Sequence, residues 1–535
     1  MAHKKSYINF IGENAMFLKI EDMTTRQKLG MVFCARNLEG ENLDYILEMI
    51  KNRELGCIQL QAHRPDITEK VLAAADYPIL VFNDAEMGFP TSDLPKIPLM
   101  SLSACDNEEY LRAFAKGISR DAKKAGFNGN WGPVIDILRT DGPCRVHRRL
   151  SDDPGKVARS AEVICEVFRQ NHHLSTGKHY PGGHDSMFDT HMAEGISDVT
   201  EEELLSFDLV PYKHLMEKGL LPCIMTDHSV YRNIDPKYPA SLSKKVISII
   251  RNLGYDGVIF TDSFAMMGIL QKFGEENIYG MAIDAGNDII LPNYRTPVRD
   301  AFEMLCKNFE DGAFTEEQLD NAVRRVLRAQ EFVGTESENP TEFTEKDEET
   351  LRAVARDCIT AVCDDGVSPA LDGKNEDKLF IVMKATDNRP GWSGEIEVES
   401  WYRHRAIAEK IKSEFPGSGI EFIPEFSGKD DHERVLNEAT KYSEVIFITY
   451  CDTTSYLGTD ALTRRSESVL NSLIHSGKMS AVVHFGNPFA LKNLLHTKRI
   501  IFGYLIPDSQ LHAIDVLAGK LEAKGKLPFD DIELN

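Results

Sequence analysis

The chain has 535 residues, 42% of them hydrophobic and 27% charged, and a formal net charge of -23 at pH 7. Because a single hydrophobic core rarely grows beyond about 250–300 residues, this length predicts two domains. The acidic balance argues against a polyanionic partner, since a nucleic-acid-binding surface needs clustered lysines and arginines, and we expect no nucleic-acid partner.

The sequence also lacks the usual signals for membranes and secretion. No apolar run reaches the roughly 18 to 20 residues that span a bilayer, and no uninterrupted apolar segment follows the N-terminus. We therefore expect a cytoplasmic protein without a membrane partner. Its 10 cysteines are scattered, mostly inside apolar runs, and none forms a C-x-x-C pattern, which is typical of free, buried thiols.

From about residue 28 to residue 292, short apolar runs alternate with amphipathic helices. Several helices end in a glycine just before the next run, as a left-handed C-terminal cap requires. This alternation is typical of a parallel α/β domain, and eight units predict a (β/α)8 TIM-type barrel. The eight runs are residues 31–34, 57–60, 79–82, 129–137, 175–180, 223–226, 257–260 and 288–291. The capping glycines are Gly126, Gly219, Gly254 and Gly286.

A second α/β pattern occupies the C-terminal third of the chain. Residues 335–349 are polar and acidic with little periodicity, which predicts a linker between a barrel at 1–334 and a domain at 350–535. The second domain is predicted to be a smaller α/β sandwich with an open sheet. Its predicted strands are 379–383, 445–450, 481–485 and 500–504, and its predicted helices are 407–415 and 466–476. No G-x-G-x-x-G motif follows a strand, so no dinucleotide site is implied.

The densest group of ionisable residues lies at 176–191, where a β-compatible run enters a Pro-Gly-Gly turn. This stretch contains three histidines and two aspartates. A carboxylate near an imidazole, as in Asp189 and His191, can fix the tautomer of the ring and favour its protonated form. The pair therefore predicts an acid/base function near neutral pH, and the alternative is a loop histidine bonded to its neighbour.

In a (β/α)8 barrel the active site lies on the loops that follow the strands. A buried run that ends in Asp262 is a way to present a nucleophile or base, although aspartate is also a favoured helix N-cap. The polar residues just past the runs are Asp84, Asp136, Lys178, His179, Asp227, His228 and Asp262.

A metal site is a further interpretation of the same loop. Histidine and aspartate are common ligands, but no recognised ligand spacing appears, and Lys178 beside His179 would repel a cation. We expect no metal and no organic cofactor. The candidate ligands are His179, His184, Asp185, Asp189 and His191.

Six short motifs follow one another in a fixed order. They are Asp84-x-Glu86-x-Gly88, Trp-Gly-Pro-Val-Ile-Asp at 131–136, Arg148 ahead of Ser-Asp-Asp-Pro at 151–154, Lys-His-Tyr-Pro-Gly at 178–182, Asp-Thr-His at 189–191, and 257–266. In this order they resemble glycoside hydrolase family 3, and most of all its β-N-acetylglucosaminidase branch in the two-domain form. The resemblance continues at 282–288, 486–489 and 525–528.

The resemblance implies roles for the matching residues. Asp262 matches the nucleophile that forms a covalent glycosyl-enzyme, His191 the acid/base and Asp189 its orienting partner. Most retaining glycosidases use two carboxylates, whereas an imidazole is uncharged when the second nucleophile arrives and repels an anion such as phosphate less. Four residues match the positions that bind the sugar hydroxyls in the family: Asp84, Arg148, Lys178 and His179.

The sequence departs from the family pattern at several positions. The family usually reads P-G-H-G-D where this chain has Pro-Gly-Gly-His-Asp at 181–185. Residues 87–90 lack the arginines of the branch, which argues against a peptidoglycan-fragment aglycone. Leu150 replaces an aromatic residue, and Ser263 stands where a second aspartate often follows the nucleophile.

These features together predict a retaining exo-β-glycosidase that removes β-linked N-acetylglucosamine from a small saccharide. A β-N-acetylglucosaminide phosphorylase and a β-glucosidase of the same family are alternatives. A metal-dependent hydrolase and a catalytically silent sugar-binding protein are alternatives of other classes. The sequence makes no prediction about oligomeric state.

Overall fold

A computed structural model describes residues 16–36, 38–139, 146–183, 189–384, 388–391, 394–397, 402–451 and 461–529. The chain divides into two compact units. The first comprises Met1–Leu94, Leu111–Gly142 and Asp152–Glu348, and the second comprises Pro95–Tyr110, Pro143–Ser151 and Glu349–Asn535. The second unit is therefore discontinuous in sequence, which no sequence pattern indicated. The boundaries at 334 and 350 stay a prediction.

Within the described residues, the first unit has two four-stranded parallel sheets and a small parallel pair of strands, Ile196–Ser197 and Val230–Tyr231. In spatial order the first sheet contains Cys34–Ala35, Cys57–Gln59, Leu80–Asn83 and Gly129–Asn130. The second contains Ile289–Leu291, Val258–Ser263, Cys223–Thr226 and Thr176–Tyr180. Single parallel bridges join Phe33 to Ile290 and Gly129 to Leu174. The α/β class is thus confirmed, whereas the two sheets do not by themselves confirm one closed barrel.

Two predicted runs differ from the observed strands. Met31 ends the helix Thr25–Met31, so the first strand begins only at Cys34. The run at 129–137 pairs as a strand only at Gly129–Asn130, and Pro133, which lacks an N–H, cannot continue a ladder. The segment beyond it is held instead by Ile135, whose N–H donates to the Lys178 carbonyl at 3.0 Å.

The two sheets of the first unit share an aromatic core. The Phe82 ring lies 5.7 Å from Trp131 and 5.1 Å from Phe260, centroid to centroid. Phe82 and Phe260 belong to strands of different sheets, so both sheets bury side chains in a common interior. A Cβ at Gly129 would stand 2.4 Å from the Phe82 ring, which explains the glycine at this position.

The predicted glycine caps are confirmed. Gly126, Gly219, Gly254 and Gly286 have φ values of +84°, +65°, +91° and +111°, and such angles favour glycine. The helices and helical turns described before residue 349 are Ile20–Asp22, Thr25–Met31, Glu41–Lys51, Pro65–Ala74, Leu99–Ala104, Glu108–Lys124, Val146–Arg148, Pro154–Gln170, Glu201–Glu203, Leu204–Asp208, Val210–Glu217, Ala240–Leu242, Lys244–Asn252, Met267–Phe273, Glu275–Ala285, Val298–Glu310, Glu316–Val333 and Glu345–Asp357. In the part of the chain that the structure describes, none of the helices is long and apolar enough to cross a membrane.

The second unit contains a six-stranded sheet. Neighbouring strands are parallel except for the edge pair, in which Thr360–Cys363 runs antiparallel to Arg499–Phe502. The spatial order is Thr360–Cys363, Arg499–Phe502, Met479–Gly486, Glu444–Cys451, Lys378–Lys384 and Gly419–Pro424. The other elements are Asn375–Asp377, the hairpin Asn388–Gly391 and Gly394–Glu397, His404–Glu414, Lys429–Ala439, Arg464–His475, Pro488–Leu491 and Ser509–Leu517. The four predicted strands and both predicted helices are present.

Candidate active site

Most of the predicted site residues lie at one end of the parallel strands of the first unit. Asp84 directly follows Leu80–Asn83, Lys178 and His179 lie within Thr176–Tyr180, and Asp262 is the penultimate residue of Val258–Ser263. The carboxyl ends of parallel strands meet at one edge of a sheet, which is where ligands bind in α/β proteins. The strand positions therefore favour one shared site.

Lys178 forms a compact cluster with two carboxylates. Its Nζ lies 2.7 Å from Asp84 Oδ1 and 2.6 Å from Glu86 Oε1. The lysine side chain is only 4% exposed, whereas that of Asp84 is 51% exposed. The buried cation therefore holds a carboxylate that a hydroxyl-rich ligand can reach. Glu86 belongs to the Asp84-x-Glu86 motif, but no role of its own was predicted for it.

His179 is oriented by Asp136. The backbone N–H of His179 donates to Asp136 Oδ1 at 2.7 Å, and Nδ1 lies 2.8 Å from Asp136 Oδ2. An ionised carboxylate only accepts hydrogen bonds, so Nδ1 carries the hydrogen and the lone pair lies on Nε2. The following turn contains Gly182 and Gly183 at φ +86° and +69°, which explains the glycine pair.

His191 and Asp189 form the predicted pair. Asp189 Oδ1 accepts a hydrogen bond from the His191 backbone N–H at 3.0 Å and lies 2.6 Å from its Nδ1. The carboxylate thus fixes both the loop and the tautomer, which assigns proton exchange to Nε2. This is the arrangement expected of an oriented general acid/base.

The loop that carries His191 is attached to the segment that follows Asp262. The N–H of Met267 donates to the His191 carbonyl at 3.1 Å, and the N–H of Gly268 donates to the Thr190 carbonyl at 3.3 Å. A Cβ at Gly268 would stand 2.3 Å from the Ala193 carbonyl oxygen, so the close approach requires glycine. His191 and Asp262 therefore belong to one connected piece of structure.

Asp262 has the environment of an ionised carboxylate. Its Oδ1 accepts a hydrogen bond from the Ser263 N–H at 2.6 Å. Burial opposes its ionisation, but the His179, His228 and His191 imidazoles and the Ser263 N–H outweigh burial and hold the pKa of Asp262 below its usual range. The interpretation as a helix cap is wrong, because the next helix begins at Met267 and its N-cap is Met266.

The sequence missed Arg36 as a site residue. Its Nη1 donates to Ser263 Oγ at 2.6 Å, and its guanidinium lies 4.9 Å from the centre of the Tyr294 ring. Burial lowers the pKa of Arg36, whereas the charges of Asp84 and Asp262 oppose that effect. Arg36 directly follows the two-residue strand Cys34–Ala35, and the sequence offers no other signal for it.

His228 supports the end of the strand that carries Asp262, and we assign it no direct role in the reaction. Its Nδ1 lies 2.8 Å from Ser241 Oγ, its Nε2 lies 3.1 Å from the Ser263 carbonyl oxygen, and its ring stacks on Phe264. Burial lowers the pKa of His228, and the ring braces the end of the Asp262 strand.

Three predicted residues fall outside this geometry. Arg148 lies in the turn Val146–Arg148, which belongs to the second unit, and its role stays a prediction. His184 and Asp185 lie outside the described residues. Among the residues that are described, no group of three or more histidine, cysteine, aspartate or glutamate side chains is arranged to hold a metal ion.

The described residues combine a carboxylate whose ionised form is favoured, an imidazole with a fixed tautomer, and a buried lysine with two carboxylates. The first two are the kinds of group that act as nucleophile and proton donor in retaining glycosidases. The lysine cluster combines a donor with acceptors, which are the groups that hydrogen-bond to hydroxyls.

Comparison with known proteins agrees with this chemistry. A model described as "Glycosyl hydrolase family 3 N terminal domain" matches residues 24–329, which is more than half of the chain. The β-hexosaminidase of Shewanella frigidimarina is 34% identical over 166 residues, which are 30% of this chain and 48% of that protein. The chain thus spans about half the length of this curated relative.

Solved structures share the fold over nearly the whole chain. A family 3 β-N-acetylglucosaminidase from Paenibacillus has a TM-score of 0.77 at 23% identity and covers 96% of this chain and 100% of that one. A β-glucoside phosphorylase has a TM-score of 0.77 at 20% identity and covers 98% of each chain. At these identities the likeness concerns the fold. With the match over residues 24–329, it follows that the chain belongs to glycosyl hydrolase family 3.

Proposed function

We propose that this protein is a retaining exo-β-glycosidase that removes terminal β-linked N-acetylglucosamine from a small saccharide. The observation that carries the proposal is the pairing of an ionised Asp262 with the His191–Asp189 dyad, whose loop is hydrogen-bonded to the segment after Asp262. The relative named a β-hexosaminidase supports the choice of sugar. A cytoplasmic location and a substrate no larger than a small saccharide remain part of the proposal.

The proposal includes one closed barrel built from the two four-stranded sheets. The parallel bridges Phe33–Ile290 and Gly129–Leu174 lie between the edge strands of the sheets and support this closure. In such a barrel Asp84, Lys178 and Asp262 share the mouth, because each lies at the carboxyl end of a strand.

The reaction proceeds in two displacements. In the first, a carboxylate oxygen of Asp262 attacks the anomeric carbon while His191 Nε2–H protonates the glycosidic oxygen, the bond to the aglycone breaks, and a glycosyl-enzyme forms. In the second, neutral His191 takes a proton from water, whose oxygen attacks the anomeric carbon and releases Asp262. Lys178, His179 and Asp84 bind hydroxyl groups of the sugar.

Azide rescue tests the two catalytic roles. Asp262→Ala should abolish turnover of an aryl β-N-acetylglucosaminide, and azide should restore turnover with the inverted α-glycosyl azide as product. His191→Ala should slow poor leaving groups by roughly 10²–10⁴-fold, and azide should then yield the retained β-azide. Activity of Asp262→Ala equal to that of the wild type, or the same azide anomer from both variants, would contradict the assignment.

Trapping separates an enzyme from a silent sugar-binding protein. A slow 5-fluoro glycosyl fluoride should add the mass of the sugar to the peptide that contains Asp262, because hydrolysis of the intermediate is slowed more than its formation. Absence of labelling together with tight binding of the sugar would support the silent alternative. A parallel assay with the aryl β-glucoside decides between an acetamido sugar and glucose.

Phosphorolysis is a second candidate, and Arg36 favours it. The described hydrogen bond of this guanidinium goes to the hydroxyl of Ser263, beside Asp262, which puts a cation next to the carboxylate from which an anionic acceptor would take the sugar. One structure with the same fold is named a β-glucoside phosphorylase. In this variant phosphate replaces water in the second displacement, and the product is a glycosyl phosphate.

Ser263→Asp tests the phosphate variant. The new carboxylate would pair with Arg36 and repel phosphate, so the ratio of phosphorolysis to hydrolysis should fall roughly 10-fold or more. Ser263→Asn adds similar bulk without charge and is the matched control. A product that contains no glycosyl phosphate in the wild-type reaction with phosphate would eliminate this variant and leave hydrolysis.

A further inference from the structure

We infer that Met192 and Met267 form the aglycone-binding surface of this site and that they select an uncharged aglycone that presents an apolar face, such as the face of a sugar ring or an aryl group. This inference rests on the proposed function, because it takes His191 as the proton donor. It adds a substrate class that the catalytic residues alone do not define.

The two methionines are exposed, which is unusual for the large hydrophobic residues of this chain. Met192 is 50% exposed and Met267 is 38% exposed, whereas neighbouring Met266 is 3% exposed. Isolated apolar side chains on a surface need no explanation, but a grouped pair beside a site points to a ligand. Methionine is a common residue at such surfaces because its thioether adapts to aromatic and alkyl groups.

The backbone brings the two residues close together. The Met267 N–H donates to the His191 carbonyl, which belongs to the same peptide group as the Met192 N–H. The two backbone nitrogens therefore flank one carbonyl oxygen. Gly268 keeps the two segments close, since a Cβ there would stand 2.3 Å from the Ala193 carbonyl oxygen.

The chemistry places this pair on the side of the aglycone. The nucleophile attacks one face of the sugar while the proton donor acts on the departing oxygen, so the donor lies on the side from which the aglycone leaves. Met192 follows the donor directly in sequence. Met267 is hydrogen-bonded to the donor residue's own carbonyl.

Within the segments 189–194 and 266–272 the charges do not favour an anionic aglycone, and the Nη1 of nearby Arg295 donates to the Ala265 carbonyl at 2.7 Å. Apart from His191, the cation of the segments 189–194 and 266–272 is Lys272, and its Nζ lies 2.6 Å from Glu194 Oε1. This ion pair balances its own charge. An aglycone carboxylate would therefore find no uncompensated cation on these two segments, whereas an aryl or alkyl group would cover two thioethers.

The test uses three substrates that share the same acetamido sugar and differ only in the leaving group. They are the 4-nitrophenyl glycoside, its 3-carboxy-4-nitrophenyl counterpart and the glycosyl azide, whose leaving group is too small to reach a surface. In the double variant Met192→Ser/Met267→Ser, the kcat/KM for the 4-nitrophenyl glycoside should fall roughly 3- to 10-fold, because two sulfur–aromatic contacts are lost. It should change less than about twofold for the azide.

A charge variant and a matched control complete the test. Met267→Arg should raise the preference for the carboxylated substrate over the neutral one by roughly 5-fold or more, since it adds a cation that the surface lacks. Met16→Ser changes a methionine with 41% exposure and should alter none of the three kcat/KM values.

The outcomes separate the two proposals. If the wild type cleaves none of the three substrates, the proposed function fails. If it cleaves them but both methionine variants leave the ratios unchanged, the aglycone surface is wrong while the glycosidase stands. Both methionines are exposed, so their variants should keep the wild-type melting temperature, which thermal denaturation verifies.

Discussion

Under the proposed function, Asp189 acts on the reaction through His191. It holds both the backbone N–H and the Nδ1 of His191, so its removal frees the ring to adopt the wrong tautomer. Asp189→Ala should lower kcat/KM for a poor leaving group by roughly 10²–10³-fold, and much less for an activated aryl leaving group. A loss that is independent of the leaving group would indicate that Asp189 only stabilises the loop.

The pH dependence of the reaction should reflect the neighbours of Asp262. Burial raises its pKa, but His179 is the largest of the opposing influences and the net direction is downward. The nucleophile should therefore stay ionised through the mildly acidic range. His179→Gln removes the influence of this imidazole and should move the acid limb of kcat/KM to higher pH. An unmoved acid limb would contradict this assignment.

At the scale of single residues, the ordered motifs selected the candidate site residues, whose roles stay a prediction. Asp262, His191 and Asp189 were selected by residue type and position, and the structure gives each of them hydrogen-bond partners close in sequence. Arg36 was missed because it stands alone after a short strand, and only its contact with Ser263, 227 residues later, marks it. Such long-range pairs leave no pattern in the sequence.

Among the elements, the helix Met267–Phe273 depends on Gly268. Alanine is the better helix former by roughly 0.5–1 kcal/mol, yet its Cβ would meet the carbonyl oxygens of Ala193 and Thr190 at 2.3 and 2.8 Å. Gly268→Ala should therefore displace the His191 loop and reduce kcat/KM roughly 10-fold or more.

Gly155→Ala is the control for this prediction. Gly155 lies in the first turn of Pro154–Gln170, and a Cβ there meets only the ends of the Arg159 and Asp153 side chains at 3.1 Å. This variant should keep wild-type kinetics and melting temperature. Equal kinetics for the two alanine variants would contradict the role given to Gly268.

The sequence predicted those elements whose signals are local. The four capping glycines and most strand positions were predicted correctly, because helix stops and apolar runs act over a few residues. Thr360–Cys363 was not predicted, since its strand pairing is antiparallel to Arg499–Phe502, far away in the chain. The helix Glu345–Asp357 begins inside the predicted linker, where Thr344 and Asp347 form hydrogen bonds that favour a helix start.

For the molecule as a whole, two buried histidines should make stability sensitive to acid. Burial lowers the pKa of His173 to about 3 and that of His484 to about 4. The unfolded chain binds protons at these rings below about pH 6.5 while the folded chain does not. Stability should therefore fall as pH decreases from about 6.5 to about 4, by about 2 kcal/mol per ring at pH 5.

His173→Phe checks this prediction. The ring packs 5.1 Å from Phe168, and within the described residues its Nε2 has no hydrogen-bond partner, so phenylalanine loses little. The difference in melting temperature between pH 7 and pH 5 should be smaller for the variant than for the wild type. His63→Phe alters an exposed ring and should keep the wild-type difference, and a matching change there would contradict the argument.

Dissection of the chain tests the discontinuous second unit. Its internal segments supply Tyr110, whose hydroxyl donates to Asp357 at 2.7 Å, and Asp106 and Ala104, which bind Lys526 at 2.7 and 2.9 Å. Residues 350–535 expressed alone lack these partners and should melt several degrees lower than the same unit in the full chain. The control is full-length protein cleaved by a protease between residues 335 and 342, because it keeps these hydrogen-bond partners. An equally stable isolated fragment would contradict the division.

The second unit is interrupted in sequence by the first, which limits how the two units can be inherited separately. A recombination event at a single junction would transfer the C-terminal part without the two short segments, at 95–110 and 143–151, that complete it. The C-terminal part of such a chimera would lack the two segments that match it, and the segments at 95–110 and 143–151 would lack the rest of their own unit. Both parts of the gene are therefore expected to be inherited together. Lineages that lost the C-terminal part should carry altered sequences at both of these segments.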